Sequence, residues 1–180
     1  MKFALIAWFA LTLTAHEVDD NRANLILRDK THVSLTLFLD FTTVLHQALA
    51  PQRTYSAFLV VASAMKPEDF AKDLQRAQAK LQAATHLYGP AGELPLTHWT
   101  WPDAKQVQAQ FQQLVMQAMV DPAAHTHQPP LEVHAEAVSV QEIGGVKIQF
   151  PEEFQKVLVV AYKPTQVWLE RKAVSPQIRF

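Results

Sequence analysis

The stretch Lys156-Val157-Leu158-Val159-Val160-Ala161-Tyr162 constrains the fold more than any other part of the chain. In an extended strand Val157, Val159 and Ala161 fall on one side and Leu158, Val160 and Tyr162 on the other, so neither side offers water a polar surface. A strand of that kind is expected at the buried centre of a sheet. The rest of the chain must then supply neighbouring strands and amphipathic helices to cover it.

The strands come in hairpins. Asn24 to Asp29 and His32 to Phe41 form the first, with Val33, Leu35, Leu37, Leu39 and Phe41 on one face and a turn at Asp29-Lys30-Thr31. His86 to Tyr88 and Leu94 to Trp101 form a second, joined by Gly89-Pro90-Ala91-Gly92, whose proline and glycines are turn chemistry. Leu131 to Val140 is a further strand. Gly144-Gly145 predicts a two-residue hairpin into Val146, Ile148 and Phe150. Beyond the central strand, Lys163-Pro164-Thr165-Gln166 predicts a turn into a strand from Val167 to Arg171.

Helices are expected between them. Thr42 or Thr43 can cap a short helix ended by Pro51, and Thr54 to Met65, apolar almost all round, reads as a buried helix with a strand as the competing assignment. Pro67, followed by Glu68 and Asp69, opens a clear helix lined by Phe70, Leu74, Ala77 and Leu81. Asp103 with Gln106 makes a capping-box start to a helix that places Val107, Phe111, Leu114, Val115 and Ala118 on one stripe, with Gln106, Gln110, Gln113 and Gln117 away from it.

Hairpins at both ends with helices between them argue against repeated βαβ units. The expected class is α+β: an antiparallel β-sandwich or curved sheet with inserted helices, the alternative being an open antiparallel sheet with helices on one face. No repeat or low-complexity linker divides the chain, and 180 residues suit one domain.

Met1 to Ala15 reads as a secretory signal, with Lys2 as a minimal basic region and Phe3 to Leu13 as an apolar run too short to span a bilayer comfortably. Residues 16–180 would then be one exported domain, periplasmic or secreted, with no transmembrane segment in the mature chain. The absence of cysteine removes disulfides, thiolate nucleophiles and cysteine metal sites. A net charge of -1, with lysines and arginines scattered, gives no footprint for nucleic acid.

Eight histidines are the unusual resource. His125 and His127 lie in a loop closed by Pro129-Pro130, and His134 follows on a strand whose polar side carries Glu132, His134 and Glu136. A turn at the prolines would fold the loop histidines toward that edge, giving imidazoles and a carboxylate suited to copper, nickel or zinc. A solvated strand face carries the same Glu-His-Glu alternation, so the pattern alone does not require a metal. His16, freed at its α-amine by cleavage after Ala15, would be a bidentate nitrogen chelate of the kind copper favours. That junction resembles the N-terminal histidine of secreted copper-binding sandwich proteins, the copper-resistance carriers and polysaccharide monooxygenases.

Enzyme templates are not met. Glycine occurs only at 89, 92, 144 and 145, so there is neither a phosphate loop nor a dinucleotide fingerprint, and no Gly-x-Ser-x-Gly elbow. Glu152-Glu153 reads as a loop cap rather than a glycosidase pair, and Trp99 and Trp101 beside His98 as packing rather than a sugar platform.

The Ala15-His16-Glu17 junction, the strand hairpin, the helical insert, the hairpin around Leu87 to Leu96, and the ending Phe150-Pro151 then Val157 to Val160 together resemble the periplasmic domain of the hydrogenase and urease accessory permease family. The resemblance implies an exported accessory domain near nickel or copper handling, without the family's membrane segments. The expectation from the chain as a whole is a non-catalytic accessory or binding protein of the cell envelope with a protein partner, the alternative being a periplasmic metal-binding protein using His16, His125, His127, His134 and Glu132.

Overall fold

The computed structural model describes residues 21–121, 128–164 and 171. The expected signal segment, His16, His125, His127 and residues Val167 to Glu170 of the last expected strand lie outside them. In chain order the elements are β1 (Asn21–Leu27), β2 (His32–Leu39), α1 (Phe41–Leu49), α2 (Tyr55–Ala64), α3 (Pro67–Ala83), β3 (His86–Gly89) and β4 (Gly92–Leu94). Then come β5 (Thr97–Thr100), α4 (Ala104–Val120), β6 (Leu131–Val138), β7 (Lys147–Gln149), a 3-10 turn at Glu152–Phe154, and β8 (Val157–Tyr162).

Local chemistry explains most boundaries. In the turn between β1 and β2 the Asp29 carboxylate accepts from the Thr31 amide at 2.7 Å and its hydroxyl at 3.1 Å. These bonds, led by the amide, hold the Asp29 carboxyl below its usual range. The cap of α1 is Asp40 rather than either expected threonine. Its carboxylate accepts from the Thr42 and Thr43 amides and from both their hydroxyls, so the threonines complete the cap without providing it. Pro67 sits in the first turn of α3 and Asp103 caps α4 through the Gln106 amide at 2.7 Å, both as expected.

Two sheets form among the described residues. The larger runs β5-β6-β2-β1-β8 and the smaller β4-β3-β7. Val33, Leu35, Leu37 and Leu39 of β2 are buried, with Ala23 and Leu25 of β1 and Val133, Ala135 and Ala137 of β6 on the same face. That face shares one apolar core with Phe41 and Leu45 of α1, Phe58 of α2, Phe70 and Leu74 of α3 and Phe111 of α4. Leu87 of β3 and Leu94 of β4 bring the small sheet onto the same core. The opposite face of the large sheet carries Arg22, Thr36, Phe38, Glu132, His134 and Glu136, exposed or half-exposed, around a buried Ser34. The α+β class with helices inserted between strands is thus the fold observed, and the sheets are not closed barrels.

Five expectations are corrected. The strand expected at the centre, β8, stands at the margin of the large sheet; β2 holds the middle. Hairpin pairing to β1 and antiparallel pairing to β6 occupy both edges of β2, leaving β8 only the outer edge of β1, where Leu158, Val159, Val160 and Tyr162 remain 40–46 % exposed. Moreover β8 runs parallel to β1, so the sheet is mixed rather than wholly antiparallel.

Gly144-Gly145 is not a hairpin turn, because β6 pairs with β2 and β5 while β7 pairs with β3. Neither glycine has the positive φ that a two-residue hairpin requires; only Gly92 does. The intervening loop crosses between sheets, tied down by Ser139 N–H to Thr31 O and Ile143 N–H to Lys30 O. The second expected hairpin is shortened at Pro95: β4 ends at Leu94, and β5 leaves to join β6 across a bulge where His98 takes φ 52°. Finally α2 is a helix as expected but buries only Phe58 and Ala62.

Candidate functional site

The alternation on β6 works as the period of two demands: Leu131, Val133, Ala135 and Ala137 are buried, while Glu132 and His134 are exposed and Glu136 is half-buried on the other side. Successive polar side chains therefore stand in a row on the open face. Register places Thr36 of β2 opposite His134, and Ser34 opposite Glu136.

The His134 ring is held from both nitrogens. Nε2 lies 3.3 Å from Glu132 Oε2, and Nδ1 lies 3.2 Å from Thr36 Oγ1. One strand position along, His32 Nε2 lies 3.5 Å from Glu136 Oε2. Two acid–imidazole contacts thus share the face, the one at His134 open to water and the one at His32 with its Nε2 atom buried.

Beside this row is a cleft of about 400 Å³, walled by Thr100, Trp101 and Pro102 ahead of α4, Gln106 in its first turn, and Glu132 and His134 on β6. The indole of Trp101 stacks on that of Trp99 (5.7 Å between centroids, 18° between planes) and meets Phe41 edge-on. Trp99 donates its indole N–H to Leu96 O at 3.1 Å, whereas the buried Trp101 N–H meets no hydrogen-bond partner among the described residues. The expectation that the two tryptophans share a face holds, and they form a rigid apolar wall. A second, more apolar hollow of about 280 Å³ lies between Leu25, Leu27, Val33, Ile143, Val146 and Ala161.

Of the residues expected to bind metal, the structure brings Glu132 and His134 into contact; His16, His125 and His127 lie outside the described residues. No three histidine or carboxylate side chains converge as a metal-binding group among the described residues. Elsewhere His86 meets Glu93 at 2.7 Å across the β3–β4 hairpin and stacks on Tyr88. His46 is buried against Tyr55 and Phe58 with Nε2 2.8 Å from Arg53 O, a packing role. Sequence reasoning missed Thr36 and His32 as partners of the row; their polar side on β2 was visible, their opposition to β6 was not.

The line Glu132–His134–Thr36 places a carboxylate, an imidazole and a hydroxyl in the order that activates a nucleophile. Thr36 and His134 face each other across the β2–β6 pairing, and the β5–β6 ladder beside them is interrupted by the bulge between Thr97 and Thr100. The arrangement sets an indole, an acid–imidazole pair and an open approach side by side.

No helix among the described residues is long and apolar enough to cross a membrane. No protein-family model matches the chain, and no curated protein or solved structure matches it.

Proposed function

We propose that the chain is an exported, non-catalytic binding protein, an accessory of the cell envelope, whose recognition surface is the open face of its large sheet. The observation that carries this reading is the cleft at the start of α4, where Trp101, backed by Trp99, adjoins the Glu132–His134 pair. One indole among oriented polar groups, here Thr100, Gln106, Glu132 and His134, gives a ligand both an apolar contact and hydrogen-bond partners. Export rests on the Met1 to Ala15 segment, and the accessory role agrees with what the likeness to the periplasmic permease domain implies.

Two measurements test it. Intact-mass analysis of protein recovered from a Gram-negative host gives the mature N-terminus; recovery from the cytoplasm with Met1 to Ala15 retained overturns export. A photo-crosslinking residue placed at Gln106 should give one discrete adduct in envelope extract, and the same residue at Arg76 on α3 should not. Equal labelling from both positions defeats the cleft as the recognition surface.

Metal binding is a second reading, favoured by the contact between Glu132 and His134. The described residues fit it in part: an imidazole and a carboxylate are a suitable donor pair for copper, nickel or zinc, and further donors would have to come from elsewhere. Binding to the folded state alone must raise the melting temperature as metal concentration rises. A flat response to copper, nickel and zinc excludes it, as does a shift that His134→Ala leaves intact.

A further inference from the structure

The cleft at the start of α4 has charge of one sign. Among the side chains that line it Glu132 is the only carboxylate, and neither lysine nor arginine is present. His134 meets Glu132 Oε2 through Nε2 and the Thr36 hydroxyl through Nδ1, and a neutral ring with its proton on Nε2 satisfies both contacts. The imidazole thus orients the carboxylate without cancelling its charge. Glu132 Oε1 carries no bond among the described residues, and neither do the Thr100 hydroxyl and the Gln106 side-chain amide. Three oxygens able to accept a hydrogen bond therefore line one cleft.

The rest of the lining is apolar, made of Trp101, Pro102, Pro130 and Leu131. Trp99 stacks on the Trp101 indole and backs it, so the ring is fixed where it meets the cleft. Indole attracts a cation through its π-cloud more strongly than any other aromatic side chain.

We infer that the cleft takes a lysine side chain of a protein partner, with its ammonium at Glu132 Oε1, Gln106 and Thr100 and its four-carbon stem along Trp101 and Leu131. This rests on the reading of the cleft as the recognition surface. An anionic group would be repelled by Glu132, and a wholly apolar one would cover three acceptors without replacing the water on them. Arginine is a poorer match, because its planar fork is met best by a carboxylate with both oxygens free. Here Oε2 is engaged by His134, and a single free oxygen suits a point charge.

The test is an amide NMR titration of the whole chain at pH 8, where a primary alkylamine is still an ammonium. A capped Gly-Lys-Gly peptide should shift the Thr100, Gln106 and Glu132 signals with a Kd of about 1 mM. Acetylating the lysine removes the charge and should weaken binding at least ~10-fold. Glu132 is exposed, so Glu132→Gln spares the fold, and it should weaken the lysine peptide about 3- to 5-fold. Equal binding of the acetylated peptide overturns the inference, as does a Glu132→Gln variant that binds like the parent. Tighter binding of the capped Gly-Arg-Gly peptide, or of cadaverine as a free diamine, overturns it too. If the lysine peptide leaves these signals unmoved up to about 20 mM while the crosslinker at Gln106 still gives its one envelope adduct, the lysine assignment falls and the recognition surface stands. Loss of both results removes the two together.

Discussion

The Glu153 carboxylate lies 2.6 Å from the Lys80 ammonium, linking the 3-10 turn before β8 to the last turn of α3. Glu153 is largely buried and Lys80 is half exposed. Burial works against the Glu153 charge, but the hydrogen bond and attraction from Lys80 outweigh it and hold the carboxyl below its usual range. A folded-state value depressed in this way stabilises the protein above the unfolded value, near pH 4.3, and the contribution disappears as pH falls through the folded value. Glu153→Gln should therefore cost about 1 kcal/mol at pH 7 and less near pH 3, the difference shrinking as pH falls through the folded value. Urea midpoints of the two proteins at both pH values measure this; an equal gap at both would show that the pair does not titrate as described.

Gln108 is buried in α4, and its amide donates to the Ala62 and Met65 carbonyls at 3.3 and 2.8 Å, closing the exposed end of α2. Gln108→Leu removes the donor and leaves two carbonyls without it, a loss of about 1–3 kcal/mol. Gln112→Leu, at an exposed position bonded once to Ser63 O, should stay within ~0.5 kcal/mol. Thermal denaturation of both variants gives the comparison, and similar effects would argue against the capping role.

The glutamines show where reading the chain reaches its end. A helical period gives the angle at which each residue leaves the axis, and on that basis Val107 and Phe111 were legible as core. It does not give what stands opposite, so Gln110, expected outward, is buried and donates to Pro129 O at 2.8 Å, while Ala118, expected inward, lies exposed beyond the core. The same limit applies at the site. Glu132 and His134 share a face because strands have a period of two, and any reader of β6 finds them. Thr36 lies 98 residues away in sequence, and only the pairing of β2 with β6 puts its hydroxyl on the imidazole.

Gly92 and Gly144 should respond oppositely to the same substitution. Gly92 adopts φ +122°, a conformation that L side chains rarely take, so Gly92→Ala should destabilise by about 1–3 kcal/mol even though the space around it is open. Gly144 has ordinary backbone and open space where a Cβ would go, so Gly144→Ala should stabilise by about 0.4–1 kcal/mol by restricting the unfolded chain. Were Gly144 at a hairpin turn, its alanine variant would be the damaging one. Melting temperatures of the two variants decide between these cases.

Leu37 and Val160 separate the middle of the sheet from its margin. Leu37 is fully buried on β2 with strands on both sides, and Leu37→Ala should cost about 2–5 kcal/mol through lost contacts and the cavity left behind. Val160, 40 % exposed on β8 and paired to β1, loses less on truncation, and Val160→Ala should cost under ~1 kcal/mol. Amide exchange should follow the same order, because opening β2 disrupts the core whereas β8 can detach from one neighbour. An apolar sequence on both sides of a strand measures only what burial would gain; position in the sheet is decided by which edges are free when that strand pairs. Protection of β8 amides as strong as that of β2 would show β8 held on both edges and return it to the interior.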